Sequence, residues 1–95
     1  LEGWRIETQS TASNASAKVT FAAGITIGSG GYLLIGEQNV AGAQVPVGTF
    51  GLYAGSGGDA VRLVDCAGTL VDTVVYGGPN SDMIKDDSGD VATSY

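Results

Sequence analysis

The stretch GGDAVRLVDCAGTLVDTVVYGG, residues 57–78, decides the fold class of this chain. Two apolar runs, residues 60–64 and 70–76, flank a short polar connection. Runs of this length, rich in Val and Leu and bounded by pairs of glycines, are typical of β-strands. Gly68, at the end of the connection, can adopt the positive φ that closes a tight turn into a bulge. The sequence therefore predicts a β-hairpin.

Both faces of the second apolar run are largely apolar, so we expect this strand in the middle of a sheet. Asp72 lies inside the run and is expected to be partly buried. A lone buried carboxylate is costly unless hydrogen bonds satisfy it, and no His, Lys or second acid is close in sequence to form a catalytic pair. We interpret Asp72 as a structural residue that accepts hydrogen bonds from loop N–H groups.

Composition narrows the class of function. Ten acidic residues against four basic ones give a net charge of −6, which repels phosphate backbones and speaks against nucleic-acid binding. The chain has no histidine and one cysteine, Cys66, so a His-based triad, an internal disulfide and a Cys-rich zinc site are excluded. No apolar run approaches the ~18 residues of a membrane span. Cys66 is expected to be exposed at the hairpin tip.

Alternating polar and apolar residues predict further strands. Trp4, Ile6 and Thr8 alternate with polar residues, so we expect a half-buried strand with those three side chains inward. The next strand should point Val19 and Phe21 inward. No segment has helical periodicity, which favours an all-β domain.

Weaker patterns complete the expected strand set. The run at 32–35 is apolar enough to be covered on both faces. Pro46 restricts any strand around it to a sheet edge. Short strands are also predicted at 25–27, 50–53 and 91–95.

The inward faces of these strands define a predicted core. We expect apolar side chains from two facing sheets to exclude water, with no polar groups between them. The aromatic side chains could instead face the solvent and stack on sugars, but their positions in the alternating strands point them inward, which favours a core role. The predicted structural residues are Trp4, Phe21, Tyr32, Val61, Leu63, Gly68, Asp72, Val74 and Tyr76; no catalytic or cofactor-binding residue is predicted.

An acidic segment near the end, SDMIKDDSGD, carries the one candidate for metal binding. Carboxylates at short spacing around a glycine can hold Ca²⁺. The segment lacks the Glu at the twelfth loop position of an EF-hand, and a solvated loop is the favoured interpretation. The candidate Ca²⁺ ligands are Asp82, Asp86, Asp87 and Asp90.

Three blocks in order carry a resemblance to a known family: LEGWRIE at 1–7, VTFAAGITIGSGGYLLIG at 19–36 and GGDAVRLVDCAGTLVDTVVYG at 57–77. Together they resemble the lamin-tail domain in its bacterial form. The resemblance implies an immunoglobulin-like β-sandwich. Such domains begin with one further strand that this sequence does not contain. We therefore expect residues 1–95 to form a single lamin-tail-like domain without its first strand, within a longer protein.

The resemblance also implies a class of function. Bacterial lamin-tail domains look like non-catalytic modules of secreted or cell-envelope proteins, with roles in adhesion, anchoring or assembly. Two alternatives remain: a subunit of an extracellular fibre or surface array completed by strand exchange, or an accessory module of a secreted nuclease or phosphatase. The expected partners are another protein, other segments of its own longer chain or further copies of itself, without nucleic acid or membrane insertion.

Overall fold

The computed structural model describes residues 1–53 and 55–95. Within these residues the chain forms six β-strands and no helix, which confirms the all-β expectation. No helix of this part of the chain has the length and apolar character of a membrane span. The strands are β1 (Arg5–Gln9), β2 (Ser16–Thr20), β3 (Ile35–Glu37), β4 (Val45–Val47), β5 (Asp59–Val64) and β6 (Leu70–Tyr76).

Four of the strands form one antiparallel sheet in the order β2-β1-β5-β6, and β3 and β4 form a parallel pair. The central strands are β1 and β5, so the prediction that β6 lies in the middle of the sheet is wrong. The outer edge of β6 is instead met by the end of the chain, where the Tyr95 N–H donates to the Val75 carbonyl at 2.8 Å. Pro46 lies in β4, at an edge, as predicted.

The hairpin forms as predicted. Gly68 has a φ of 86° and donates its N–H to the Asp65 carbonyl at 3.1 Å. Register shifts by one residue between Leu63 and Val64, which is the expected bulge. Cys66 is exposed at the tip. The turn residues, with Gly68 at a positive φ, therefore produce the hairpin and its bulge.

The buried apolar cluster combines the hairpin with the C-terminal segment. Ala60 and Val75 pack with Ile84 and Ala92, and the first three are fully buried. The Asn80 amide fixes this segment, because its Nδ2 donates to the Ile84 and Ala92 carbonyls at 2.8 and 2.9 Å while its Oδ1 accepts from the Ile84 N–H. The tail, predicted as a surface loop, is thus partly core.

The prediction that Trp4, Ile6 and Thr8 are the side chains of the first strand that face the interior is wrong. Glu7 and Gln9 are buried, at 7% and 4% exposure, whereas Trp4, Ile6 and Thr8 are only half-buried. Glu7 is compensated by the Arg5 Nε at 2.7 Å and the Arg62 Nε at 3.7 Å. Arg62 also donates to the Gln9 Oε1 at 2.8 Å. The interior therefore contains polar groups between its apolar parts, contrary to the expectation of a purely apolar core.

Several predicted core residues occupy other environments. Phe21 is buried as expected, but Tyr32 is 94% exposed and only Ile35 of the run 32–35 belongs to a strand. Asp72 is exposed, and its Oδ1 accepts from the adjacent Thr73 N–H rather than from a loop. Residues 25–27, 50–53 and 91–95 form no strand, apart from single bridges at Val91 and Ser94.

Replacing Gly68 with Val tests the turn. A Cβ at Gly68 would meet no atom within 4 Å, so the loss comes from backbone conformation alone, and we expect about 1–2 kcal/mol less stability in urea unfolding. Gly48→Val is the matched control, because Gly48 has equal space and no positive φ. Similar losses for the two variants would contradict the turn assignment.

Replacing Asn80 with Ala tests the tail. The Ile84 N–H and the Ala92 carbonyl lose their partner, while the Ile84 carbonyl keeps its bond from the Ala92 N–H, so we expect a loss of about 2 kcal/mol in urea unfolding. Asn80→Asp should be similarly harmful, because a carboxylate cannot donate to the two carbonyls. Asn39→Ala, at an exposed turn position, serves as the control. An Asn80→Ala variant as stable as Asn39→Ala would show that the tail is not held by this amide.

Candidate functional site

One face of the four-stranded sheet carries apolar side chains that nothing in the described part of the chain fully covers. We name it the open face and define it by Ile6, Val61, Leu63 and Val74. Ile6 pairs with Leu63 and Val61 pairs with Val74, so the four side chains are brought together by strand register. Val74 is 47% exposed, and the other three are half-buried. These are largely the residues predicted to meet in the interior.

A shallow groove of about 120 Å³ runs across the open face. Asp72 lines this groove opposite its cross-strand partner Leu63. The Asp72 carboxylate is exposed and its hydrogen bond runs to the neighbouring Thr73 amide. Arg62 also borders the groove, but its guanidinium is hydrogen-bonded to Gln9 and lies against Glu7. The groove is therefore mainly apolar with the Asp72 carboxylate at its side, which suits an apolar surface bearing a cation more than a polar small molecule.

The two edges of the sheet are less open than its face. Along β2, the register shift between Ile6 and Glu7 interrupts the ladder, and Lys18 lies in the strand. Bulges and edge lysines are devices that prevent pairing with another chain. Along β6, Ser94 bridges Val75 in parallel and covers part of the edge. The face is thus a more accessible contact surface than either edge.

A second concave surface lies where β1, β2, β5 and β6 meet the segments near residues 10–14 and 51–53. We name it the sheet-end cleft; its volume is about 160 Å³. Its lining includes Thr8, Lys18, Tyr53, Asp59 and Tyr76. The five lie in β1, β2, the segment before β5, β5 and β6, so no local motif marked this cleft.

Asp59 lies at the inner side of the sheet-end cleft. It is 5% exposed, and its Oδ2 accepts the Gly55 N–H at 2.6 Å. Strand register places Asp59 directly opposite Tyr76. Burial, with a further contribution from the Asp59 carboxylate, raises the pKa of the Tyr76 hydroxyl above 10.0. A negative charge on Tyr76 is therefore disfavoured, and the hydroxyl stays a hydrogen-bond donor across the neutral pH range.

The four candidate Ca²⁺ ligands do not form a common site. Asp86 Oδ1 accepts the Ser88 and Asp90 amides at 2.9 and 3.1 Å, as in an Asx turn. Asp82 lies instead against Gly57, away from this turn in the chain. Among residues 1–53 and 55–95, no three His, Cys, Asp or Glu side chains are grouped so as to hold a metal ion.

The structural carboxylate of the hairpin is Asp65, not the predicted Asp72. Asp65 accepts loop amides, from Ala67 at 2.9 Å and Thr69 at 2.8 Å. A signal was present, because an Asp that opens a turn before Gly commonly binds the N–H two residues on. No comparable signal marked Asp59, since its importance depends on residues that are distant in sequence.

Searches of models of known protein families, of curated proteins and of solved structures gave no match to this chain.

The raised pKa of Tyr76 predicts a pH dependence of stability. Because the folded pKa lies above the unfolded value of 10.0, its contribution is complete below pH 10 and is lost as the pH rises through the folded pKa. Urea midpoints measured from neutral to strongly alkaline pH should therefore fall more steeply for the wild type than for Tyr76→Phe. Parallel curves for the two proteins would refute this assignment. Asp59→Asn should weaken the effect without abolishing it, because burial is the larger cause.

Proposed function

We propose that this chain is a non-catalytic, immunoglobulin-like β-module that resembles lamin-tail domains and mediates adhesion, anchoring or assembly within a secreted or cell-envelope bacterial protein. The observation that supports a contact role is the open face. The lamin-tail resemblance supports the family, the sandwich architecture and the cellular location.

The physical basis of the proposal is the cost of leaving the open face in water. Apolar area removed from water contributes about 25 cal/mol per Å², and contiguous apolar patches rimmed by polar residues mark contact surfaces. Val74 offers the largest share, because almost half of it is exposed. Its neighbours Val61 and Leu63 are half-buried. A surface that covers these side chains gains free energy without requiring rearrangement of the sheet.

The chemistry of the partner follows from the charge on this face. Asp72 lines the groove, and the whole chain carries a net charge of −6. A second copy would bring Asp72 near another Asp72 in a two-fold contact and oppose two negative surfaces. We therefore propose an apolar protein surface with a Lys or Arg opposite Asp72, from another protein or from another part of a longer chain. The blunted edges of β2 and β6 favour this contact over strand exchange.

Substitution within the open face tests the proposal. A photo-crosslinking residue at position 63, in cells that produce the protein, should trap a discrete partner. Val74→Lys should reduce the trapped yield about tenfold, because burying an ammonium in an apolar contact is costly. Val91→Lys is the matched control, since Val91 is 46% exposed and lies outside this face.

Charge substitution gives the second arm of the test. Asp72→Lys should lower the trapped yield, while Asp87→Lys, which makes the same charge change at another exposed position, should not. Both lysine variants at valine positions should keep the wild-type thermal midpoint, because neither side chain is buried. Equal trapping by all variants, or a trapped product that is a second copy of the chain, would overturn the proposal.

A further inference from the structure

We propose that the sheet-end cleft binds one residue of a neutral, polyhydroxylated ligand, that is, a sugar ring. The cleft shares no side chain with the open face, so this inference stands on different residues from the proposed contact function. It rests on three observations: a buried carboxylate at the cleft, one positive and one negative side chain in its lining, and hydrogen-bonding groups without a partner among the described residues.

The wall of the cleft is held in place by the fold itself. The Asn14 amide accepts the Ser10 and Thr11 N–H groups at 2.9 and 2.8 Å and donates to the Ser10 hydroxyl at 2.7 Å. Gln9 is fixed between the Arg62 guanidinium and the Thr11 carbonyl. These groups shape the cleft, and these hydrogen bonds join them to other groups of the protein. A preorganised wall lowers the entropy cost of binding.

Other polar atoms at the cleft are uncommitted. Among the hydrogen bonds and ion pairs of the described residues, none uses the Asp59 Oδ1, the Lys18 Nζ or the Tyr76 hydroxyl. The first accepts, the second donates and the third does both. The Asp59 side chain is more than nine-tenths buried, so a partner in the cleft would replace water at a carboxylate with little access to solvent. This combination calls for a ligand with several hydrogen-bonding groups.

The charge balance of the cleft selects a neutral ligand. Asp59 and Lys18 contribute one negative and one positive charge. An anion is repelled by the Asp59 carboxylate and by the net charge of −6, whereas a simple cation is repelled by the Lys18 ammonium. A hydroxyl both donates and accepts, so vicinal hydroxyls of one molecule satisfy the carboxylate and the ammonium together without bringing a charge.

Size and aromatic lining point to a sugar ring. At ~30 Å³ per water molecule, the cleft of about 160 Å³ holds at least about five waters. That is room for one small ring rather than for an extended chain. Tyr53 and Tyr76 both line the cleft, and an aromatic ring offers apolar surface to the C–H groups of a sugar while its hydroxyl remains available. An aliphatic zwitterionic amino acid such as glycine matches the charges but has no ring to place against two tyrosines.

Titration of the ¹⁵N-labelled chain with methyl glycosides of glucose, galactose, mannose and N-acetylglucosamine tests the inference. We expect millimolar binding of at least one glycoside, seen as shifts of the Lys18, Gly51 and Gly55 amides. Asp59→Asn keeps an acceptor for the Gly55 N–H but loses the charge, and it should weaken binding about tenfold. Tyr53→Ala and Lys18→Gln should each weaken binding several-fold.

Matched controls separate a site from a general surface effect. Tyr32→Ala removes a ring that is 94% exposed elsewhere, and Lys85→Gln removes an exposed lysine outside the cleft; neither should change the affinity. The inference is overturned if no glycoside shifts the cleft amides, or if Asp59→Asn, Tyr53→Ala and Lys18→Gln bind as well as the wild type. It is also overturned if glycine or sulfate shifts the same amides at lower concentration than any glycoside. The open-face variant Val74→Lys should bind the glycoside normally, so the two proposals fail separately.

Discussion

The pairing of β1 with β5 is the contact on which the rest of the sheet depends. These are the two central strands, and β2 and β6 each join the sheet through one of them. The strands are distant in sequence: Arg62 and Gln9, joined by a hydrogen bond of 2.8 Å, are 53 residues apart. Closing so long a loop costs conformational entropy before any contact forms. A one-residue slip would move every side chain to the opposite face, and the Glu7–Arg62 contact opposes such a slip.

This register also determines what each face of the sheet presents. The charged and amide side chains of β1 point to the buried side, where Arg5 and Arg62 compensate Glu7. Ile6, the apolar side chain of the same strand, is consequently directed to the open face. Burying charge is worthwhile only when partners are supplied, so the polar interior and the exposed apolar face are two results of one strand orientation. The surface proposed for protein contact thus originates in the packing of the opposite side.

The hairpin could be predicted because the residues that specify it are close in sequence. Which face of the sheet is buried could not be predicted, because that depends on residues distant in sequence. The runs that became β5 and β6, and the glycine between them, specify strands and a turn within some twenty residues. The alternation near Trp4 allows either set of alternate side chains to face the core. The choice of the apolar set assumes that Glu7 cannot be buried. Glu7 can be buried because Arg62 compensates its charge, but Arg62 reaches Glu7 only through the pairing of two strands that are distant in sequence. The sheet-end cleft could not be predicted for the same reason, since Lys18 and Asp59 come to line one cleft only after folding.

The resemblance to lamin-tail domains bears on architecture more directly than on activity. Much of the block at 57–77 follows from what any tight hairpin needs: apolar strands, an Asp that accepts turn amides and a glycine with positive φ. Features required by folding recur wherever the fold recurs, while function resides in sites that vary upon it. Val74 and Asp72 lie in that block but are exposed, so turn and core requirements do not explain them. Exposed residues of this kind, together with the buried Asp59 at the sheet end, are the residues on which the two proposals for this chain depend.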